Sequence, residues 1–140
     1  MERTQWLSVG EYLAKADPWP LNPDGELLLG LKIENKRALG NCEDTARVPG
    51  IAFAEWGPGD MGMSLGYADA HDPPYPTDMQ AARQRVKAAC EAAGLYFLNA
   101  VSDENVRAMI DEGVMVCATG RRGESVAVLG RDYTGRTMPV

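Results

Sequence analysis

Two acidic residues, Glu34 and Asp60, each follow an apolar run that has the character of a β-strand. If those strands are parallel neighbours, their carboxyl ends meet at one edge of the sheet and both side chains can face one crevice. Paired carboxylates at such an edge can hold a hard divalent cation beside a small oxyanion substrate. The sequence therefore predicts a metal site with Glu34 and Asp60 as ligands, and an enzyme rather than a purely structural domain.

A glycine-rich turn leads directly into the second acid, in the order Gly57, Pro58, Gly59, Asp60. Glycine lets the main chain approach a ligand closely, so the backbone N–H groups of this turn can contact a carboxylate. A cation beside such amides suits a 2-oxo acid, because the ion polarises the carbonyl while the amides hold the carboxylate. We predict that these four residues bind the substrate.

The bulk composition excludes several other classes. The chain has 140 residues, of which 45% are hydrophobic and 24% charged, a globular balance that favours a single domain. A net charge of -6 argues against nucleic-acid binding. The apolar runs are too short to span a membrane and no secretory signal is visible, so we expect a cytoplasmic protein. Cys42, Cys90 and Cys117 lack zinc-site spacing, and we expect free buried thiols.

Strand and helix patterns alternate along the chain. Residues 8–16 predict a short helix with Ser8 and Glu11 as a capping box, followed by a stiff proline-rich connector that Trp19 and Leu21 would pin to the body. We expect strands at 27–33, 51–55, 95–101 and 114–118, with those preceding the two acids buried. We expect helices at 36–47, 78–93, 103–112 and 125–129. Thr77 and Gln80 have capping-box spacing at the start of the second helix, and Ser102 would cap the third. A long loop is expected at 56–75 and a loose tail after Gly130.

This alternation is typical of an α/β fold built from about four parallel βα units. Four such units could form a small open sheet or one half of an eight-stranded (β/α)8 TIM barrel. The site motifs favour the half-barrel. We expect an N-terminal helix and connector at 1–25, the half-barrel at 26–130 and a tail at 131–140.

Four segments carry a resemblance to a known family. They are Lys32-Ile33-Glu34-Asn35, Val48-Pro49-Gly50-Ile51, Gly57-Pro58-Gly59-Asp60 and Ser64-Leu65-Gly66. Together, and with the separation of the two acids, they resemble the HpcH/HpaI aldolases, which are class II, divalent-metal-dependent pyruvate aldolases. The resemblance covers about residues 26–120 and corresponds to the C-terminal half of the family's barrel.

The resemblance implies that Glu34 and Asp60 coordinate Mg²⁺, or Mn²⁺ or Co²⁺ in its place. It also implies that the amides of Gly59 and Asp60 lie near the carboxylate of pyruvate. The implied reaction is an aldol lyase reaction that cleaves or forms a carbon–carbon bond between pyruvate, a 2-oxo acid, and an aldehyde.

The chain also departs from the family pattern. The family's catalytic arginine and histidine come from the first half of the barrel, and His71 does not match that histidine. No catalytic acid or base is therefore assigned. Because a half-barrel leaves edge strands open, we expect a homo-oligomer or association through these open barrel edges. Two alternatives stay open: a truncated, catalytically incomplete fragment or interaction piece, and a citrate-lyase-beta-like lyase of CoA esters, for which no basic nucleotide site is visible.

Simpler interpretations exist for the individual side chains. Glu34 could form a salt bridge with Lys32, which alternation places on the same face, and Asp60 could cap a local turn. Glu55 is more typical of an interface or loop position than of a group supporting a metal ligand. His71 is more typical of a solvated loop, although it could carry a proton.

Overall fold

The computed structural model describes residues 7–137. Helix α1, Val9–Lys15, begins with the expected capping box, in which the Glu11 amide donates to Ser8 Oγ and the Ser8 amide donates to the Glu11 carboxylate. Strand β1, Pro18–Trp19, then pairs in parallel with β2, Leu27–Leu28. The Trp19 ring stacks on Tyr96 with 5.6 Å between centroids. This stacking anchors the connector to the body, as expected for Trp19.

The main sheet contains four parallel strands in sequential order. They are β3, Gly30–Ile33; β4, Phe53–Trp56; β5, Tyr96–Ala100; and β6, Val116–Ala118. Sequential order without a reversal means that every crossover advances in the same direction, as in a barrel and unlike a doubly wound open sheet. The predicted α/β fold with about four parallel βα units is confirmed.

Helices cover one face of this sheet and bury its core. Alternation directs Ile33, Ala54, Trp56 and Phe97 toward them, and all four are buried. The helices are α2, Lys36–Gly40; α3, Cys42–Ala46; α4, Pro58–Leu65; α5, Thr77–Ala93; α6, Val106–Asp111; and α7, Gly123–Thr134, which follows a 3₁₀ turn at Gly120–Arg122. None of the helices within residues 7–137 has the length and apolarity needed to cross a bilayer.

The strand expected at 27–33 is interrupted. Leu27 and Leu28 pair with β1 instead of the main sheet and are exposed, while the Phe53 ring lies over Gly30 at the start of β3. Only Ile33 is buried within β3, and β4 buries every second residue. The expectation of fully buried strands was therefore wrong, because only the helix-facing side of the sheet is covered in the described part of the chain.

The expected loop at 56–75 contains helix α4, and this prediction was also wrong. Pro58 occupies the first helical position and Asp60 the first turn, both of which favour a helix start, and Gly66 ends the helix with a positive φ of 104°. The glycine-rich turn is thus a helix N-terminus. The expected helix at 36–47 is divided into α2 and α3 at Asn41.

Two predicted caps do not form. Helix α5 includes Thr77 and begins after Pro76, and the side-chain amide of Gln80 donates to the Tyr75 carbonyl at 2.7 Å instead of closing a capping box. Helix α6 begins four residues after Ser102, because the Asn105 side chain accepts the Ser102 N–H at 2.8 Å and forms a turn there.

The C-terminal helix is longer than expected. Helix α7 passes through Gly130 and ends at Gly135, which has a φ of 64°. A Cβ at Gly130 would lie 3.5 Å from Val106 and Ile110, so this glycine permits close packing on α6 and is not a helix stop. Residues 131–134 are therefore helical rather than a loose tail. Cys42 and Cys90 are buried as predicted, but Cys117 is exposed.

A charged cluster lies within the helix-covered core. Arg83 on α5 is 9% exposed and donates to both carboxylate oxygens of Glu112, at 2.6 and 2.8 Å, and to Asn99 on β5 at 3.1 Å. Its guanidinium also lies over the Phe97 ring, 5.5 Å from the centroid. The bond with Arg83 holds the pKa of Glu112 below its ordinary value of 4.5. This cluster joins α5, β5 and the end of α6.

Replacement of Arg83 by Met should destabilise the chain by roughly 3 kcal/mol, because it leaves the Glu112 carboxylate and Asn99 without their partner. The free energy of unfolding in urea measures this loss, and Arg107→Met, on the exposed side of α6, serves as the control.

The contribution of the pair should also depend on pH. A carboxyl group whose pKa is lowered in the folded state stabilises that state above its unfolded pKa of about 4.5. That stabilisation should disappear as the pH falls through the lower folded value. The difference between wild type and Arg83→Met should therefore shrink at acidic pH, and a constant difference would contradict this assignment.

Candidate metal and substrate site

The register between β3 and β4 positions the charged side chains. Lys32 pairs with Glu55 and Ile33 with Trp56. Because Ile33 and Trp56 are buried against the helices, Lys32 and Glu55 project from the opposite face of the sheet. Glu34 follows the last residue of β3, so it lies at the carboxyl edge of the sheet, beside the end of β4.

Glu34 packs directly against Gly57. A Cβ at Gly57 would lie 2.6 Å from Glu34 Oε2 and 2.9 Å from Glu34 Cβ, so only glycine fits there. Glu34 Oε2 is buried and has no hydrogen-bond donor among residues 7–137. The Lys32 ammonium lies 2.9 Å from this oxygen, which is an ion-pair distance, and it is the one cationic group beside the oxygen among these residues. The predicted Lys32–Glu34 salt bridge is present.

Asp60 lies in the first turn of α4, which begins directly after Gly57. The first N–H groups of a helix have no intrahelical acceptor, and no side chain caps this helix. The amides of Gly59 and Asp60 are therefore available to an anion, and the positive end of the helix dipole adds to their attraction.

These residues border a pocket of about 330 Å³. Glu34 adjoins it through its contacts with Lys32 and Gly57. The pocket holds all four predicted substrate-binding residues, and its lining consists of Lys32, Glu55, Gly57, Pro58, Gly59, Asp60, Met63, Ala68, Ala70 and His71.

The pocket is dominated by negative charge. The pKa of Lys32 is raised, first by its contact with Glu34 and then by the charge of Glu55, with a smaller effect of Asp60. Both predicted metal ligands therefore act electrostatically on the same ammonium group. Glu55, which sequence reasoning placed at an interface or loop, lines this pocket from β4.

The donor set suits a hard divalent cation. A buried carboxylate oxygen is costly unless a cation compensates it, a role that Lys32 fills at 2.9 Å, and carboxylates are also the ligands that Mg²⁺ prefers. Within residues 7–137 no three His, Cys, Asp or Glu side chains converge as a metal-binding group. Two carboxylates are nevertheless enough for Mg²⁺, which is commonly held by one or two carboxylates, water and substrate.

His71 and the large apolar side chains near the glycine-rich turn have weaker links to the pocket. The His71 side chain is 61% exposed, lies 3.5 Å from the Asp72 carboxylate and borders the pocket beside Gly59. Met61 is completely buried, and Trp56 packs edge-on against Tyr75, so neither lines the pocket.

Sequence reasoning missed a second, adjoining pocket of about 590 Å³. It shares Pro58 and His71 with the first and lies at the carboxyl end of β5. Its lining is rich in uncharged polar side chains: Gln80, Gln84, Asn99, Ser102 and Asn105. One signal was available, since Asn99 stands two positions after the buried Phe97 and alternation places both on the helix-covered face.

Comparison with known proteins adds family evidence. Residues 20–128 match the family model for HpcH/HpaI aldolase/citrate lyase. The chain is 34% identical, over 91 residues, to 2-keto-3-deoxy-L-rhamnonate aldolases of Klebsiella pneumoniae and Salmonella schwarzengrund. These matches cover 64% of this chain but 32% of each relative, so the matched segment corresponds to about a third of their length.

Solved structures show the same fold at lower identity. Macrophomate synthase matches with a TM-score of 0.62 and 20% identity, over 82% of this chain and 40% of that chain. The citrate lyase beta subunit of M. tuberculosis, complexed with oxaloacetate and magnesium, matches with a TM-score of 0.58 and 20% identity, over 73% of this chain and 50% of that one.

The contact between Glu34 and Gly57 yields a stability prediction. Gly57→Ala should destabilise the chain by about 1–3 kcal/mol, because Glu34 Cβ is fixed to the backbone and cannot rotate away from the added methyl group. Urea unfolding measures the change. Gly59→Ala is the matched control, since its Cβ would meet only His71 at 3.8 Å and alanine favours a helix. Equal stability of the two variants would contradict the described packing.

Proposed function

Because the chain belongs to the HpcH/HpaI aldolase/citrate lyase family, we propose that it acts in divalent-metal-dependent aldol cleavage. The proposed reaction breaks or forms a carbon–carbon bond between a 2-oxo acid, such as pyruvate, and an aldehyde. The observation that carries this proposal is the buried Oε2 of Glu34, held against Gly57 at the start of α4 with only the Lys32 ammonium beside it among the described residues.

Glu34 and Asp60 are the proposed ligands of the metal, with Mg²⁺ as the first candidate and Mn²⁺ or Co²⁺ as alternatives. When bound, such an ion polarises the 2-oxo carbonyl and stabilises the negative charge that develops on its oxygen. The protein contributes two oxygen ligands fixed by the end of β3 and the first turn of α4.

The substrate carboxylate is proposed to lie against the amides of Gly59 and Asp60. Pro58 has no N–H but sets the helical φ of the first turn, so it orients the two amides that follow. Gly57 leaves the space that Glu34 occupies. This arrangement orients a small 2-oxo acid with its carbonyl toward the two carboxylates.

The aldehyde portion is proposed to extend into the second pocket. That pocket adjoins the first through Pro58 and His71, and its amide and hydroxyl side chains suit a hydroxylated chain. Since two relatives are 2-keto-3-deoxy-L-rhamnonate aldolases, this sugar-derived 2-oxo acid is the first substrate to test. No residue is assigned as catalytic acid or base.

Replacement of Glu34 by Gln, or of Asp60 by Asn, should lower metal-dependent release of pyruvate from 2-keto-3-deoxy-L-rhamnonate by about a hundredfold or more. Each change removes a charged ligand while the size of the side chain is kept. A coupled assay for pyruvate, with Mg²⁺ or with a chelator, measures the rate. Glu26→Gln, which removes an exposed carboxylate paired with Lys15, is the control and should retain the wild-type rate.

Binding and catalysis are tested separately because the match with the curated relatives covers about a third of their length. Mg²⁺ binding through Glu34 and Asp60 without pyruvate release would identify the chain as a catalytically incomplete part of such an aldolase. Full activity in the Glu34→Gln variant would contradict the proposed role of this residue.

A further inference from the structure

We propose that the Lys32 ammonium and the divalent cation are alternative occupants of one carboxylate site, so that Lys32 weakens metal binding by competition. This inference rests on the proposed function, because it concerns the same site. It adds a role for a residue of this chain: Lys32 balances the charge of the site until a metal ion displaces it.

The position of Lys32 is the first support. Its Nζ lies 2.9 Å from Glu34 Oε2, the buried oxygen that has no other cation or donor beside it in the described part of the chain. A metal ion coordinated by that oxygen would need the same volume of space. A metal ion bound at about 2.0–2.6 Å on the side of this oxygen that faces Lys32 would overlap the present position of the ammonium group.

The surrounding charge is the second support. Lys32 lies directly opposite Glu55 in the parallel register, and both line the pocket that holds Asp60. The ammonium thus neutralises part of a group of three carboxylates. Adding two positive charges while this ammonium stayed in place would set like charges close together, which opposes binding.

Side-chain freedom is the third support. The Lys32 side chain is 54% exposed, although its main chain is fixed in β3 between Leu31 and Ile33. A flexible four-carbon stem allows the ammonium to leave the carboxylates and enter solvent while the strand stays unchanged. Release of Lys32 therefore needs only a change of side-chain rotamer.

Calorimetric titration with Mn²⁺ tests the competition. Lys32→Met, which keeps the apolar stem and removes the charge, should bind Mn²⁺ at least about tenfold more tightly than wild type. Lys32→Arg keeps the charge and should bind no more tightly than wild type. Lys15→Met is the matched control, because it also removes a lysine that pairs with a glutamate but lies on α1, and it should leave the affinity unchanged.

Competitive labelling of lysine amines provides a second measurement on the wild-type chain. The sequence contains four lysines, Lys15, Lys32, Lys36 and Lys87, so the other three are internal standards. Saturating Mg²⁺ should increase the labelling rate of Lys32 alone, since displacement frees its amine from the carboxylates. This measurement does not depend on the folding of any variant.

The outcomes separate this inference from the proposed function. If wild type binds Mn²⁺ and Lys32→Met binds with the same affinity, with Lys32 labelling unaffected by Mg²⁺, the competition is refuted and the metal site stands. If neither wild type nor Lys32→Met binds Mn²⁺, the metal site itself is refuted. Tighter binding by Lys32→Arg would show that steric change, not charge, governs affinity, and would also overturn the proposal.

Discussion

The parallel register of β3 and β4 is the constraint on which the rest of the site depends. It pairs Lys32 with Glu55 and Ile33 with Trp56, which separates charged residues from core residues on the two faces of the sheet. A slip of one residue would exchange the faces, burying Lys32 and exposing Ile33. The same register ends β3 beside the end of β4, where Gly57 receives Glu34.

The two faces of the sheet differ in how completely their buried charged groups are paired. On the helix-covered face, Arg83 is paired with Glu112 and Asn99, so its charge is buried with partners. On the opposite face, Glu34 Oε2 is buried without a hydrogen-bond donor, and only the Lys32 ammonium lies beside it among the described residues. Buried polar groups are normally satisfied, so an incompletely satisfied carboxylate oxygen calls for an explanation, and a bound ion is one.

The features that could be predicted from the sequence are those that depend on local residue patterns. Apolar runs located the four main strands, and the acids after the first two of them indicated where the site lies. The Lys32–Glu34 salt bridge also followed from alternation. Helix α4 was missed because its glycines suggested a loop, although Pro58 and Asp60 are favourable at a helix start. Whether Glu34 and Asp60 share a metal ion stays a prediction.

Tertiary contacts account for the other differences between the sequence predictions and the structure. Gly130 has the local signature of a helix end, but its role is close packing on α6, which no local pattern reveals. Leu27 and Leu28 read as a buried strand, yet they pair with β1 and stay exposed in the described chain. Within residues 7–137, β3 and β6 are the outer strands of the main sheet, consistent with the chain's coverage of about a third of its curated relatives.

A double-mutant cycle of metal affinity tests the central claim most directly. Mn²⁺ binding is measured by calorimetry for wild type, Glu34→Gln, Asp60→Asn and the double variant. If both carboxylates hold one ion, each single variant should bind far more weakly than wild type, and the double variant should lose less than the two separate losses combined. Wild-type affinity in either single variant would contradict a metal ion shared by Glu34 and Asp60.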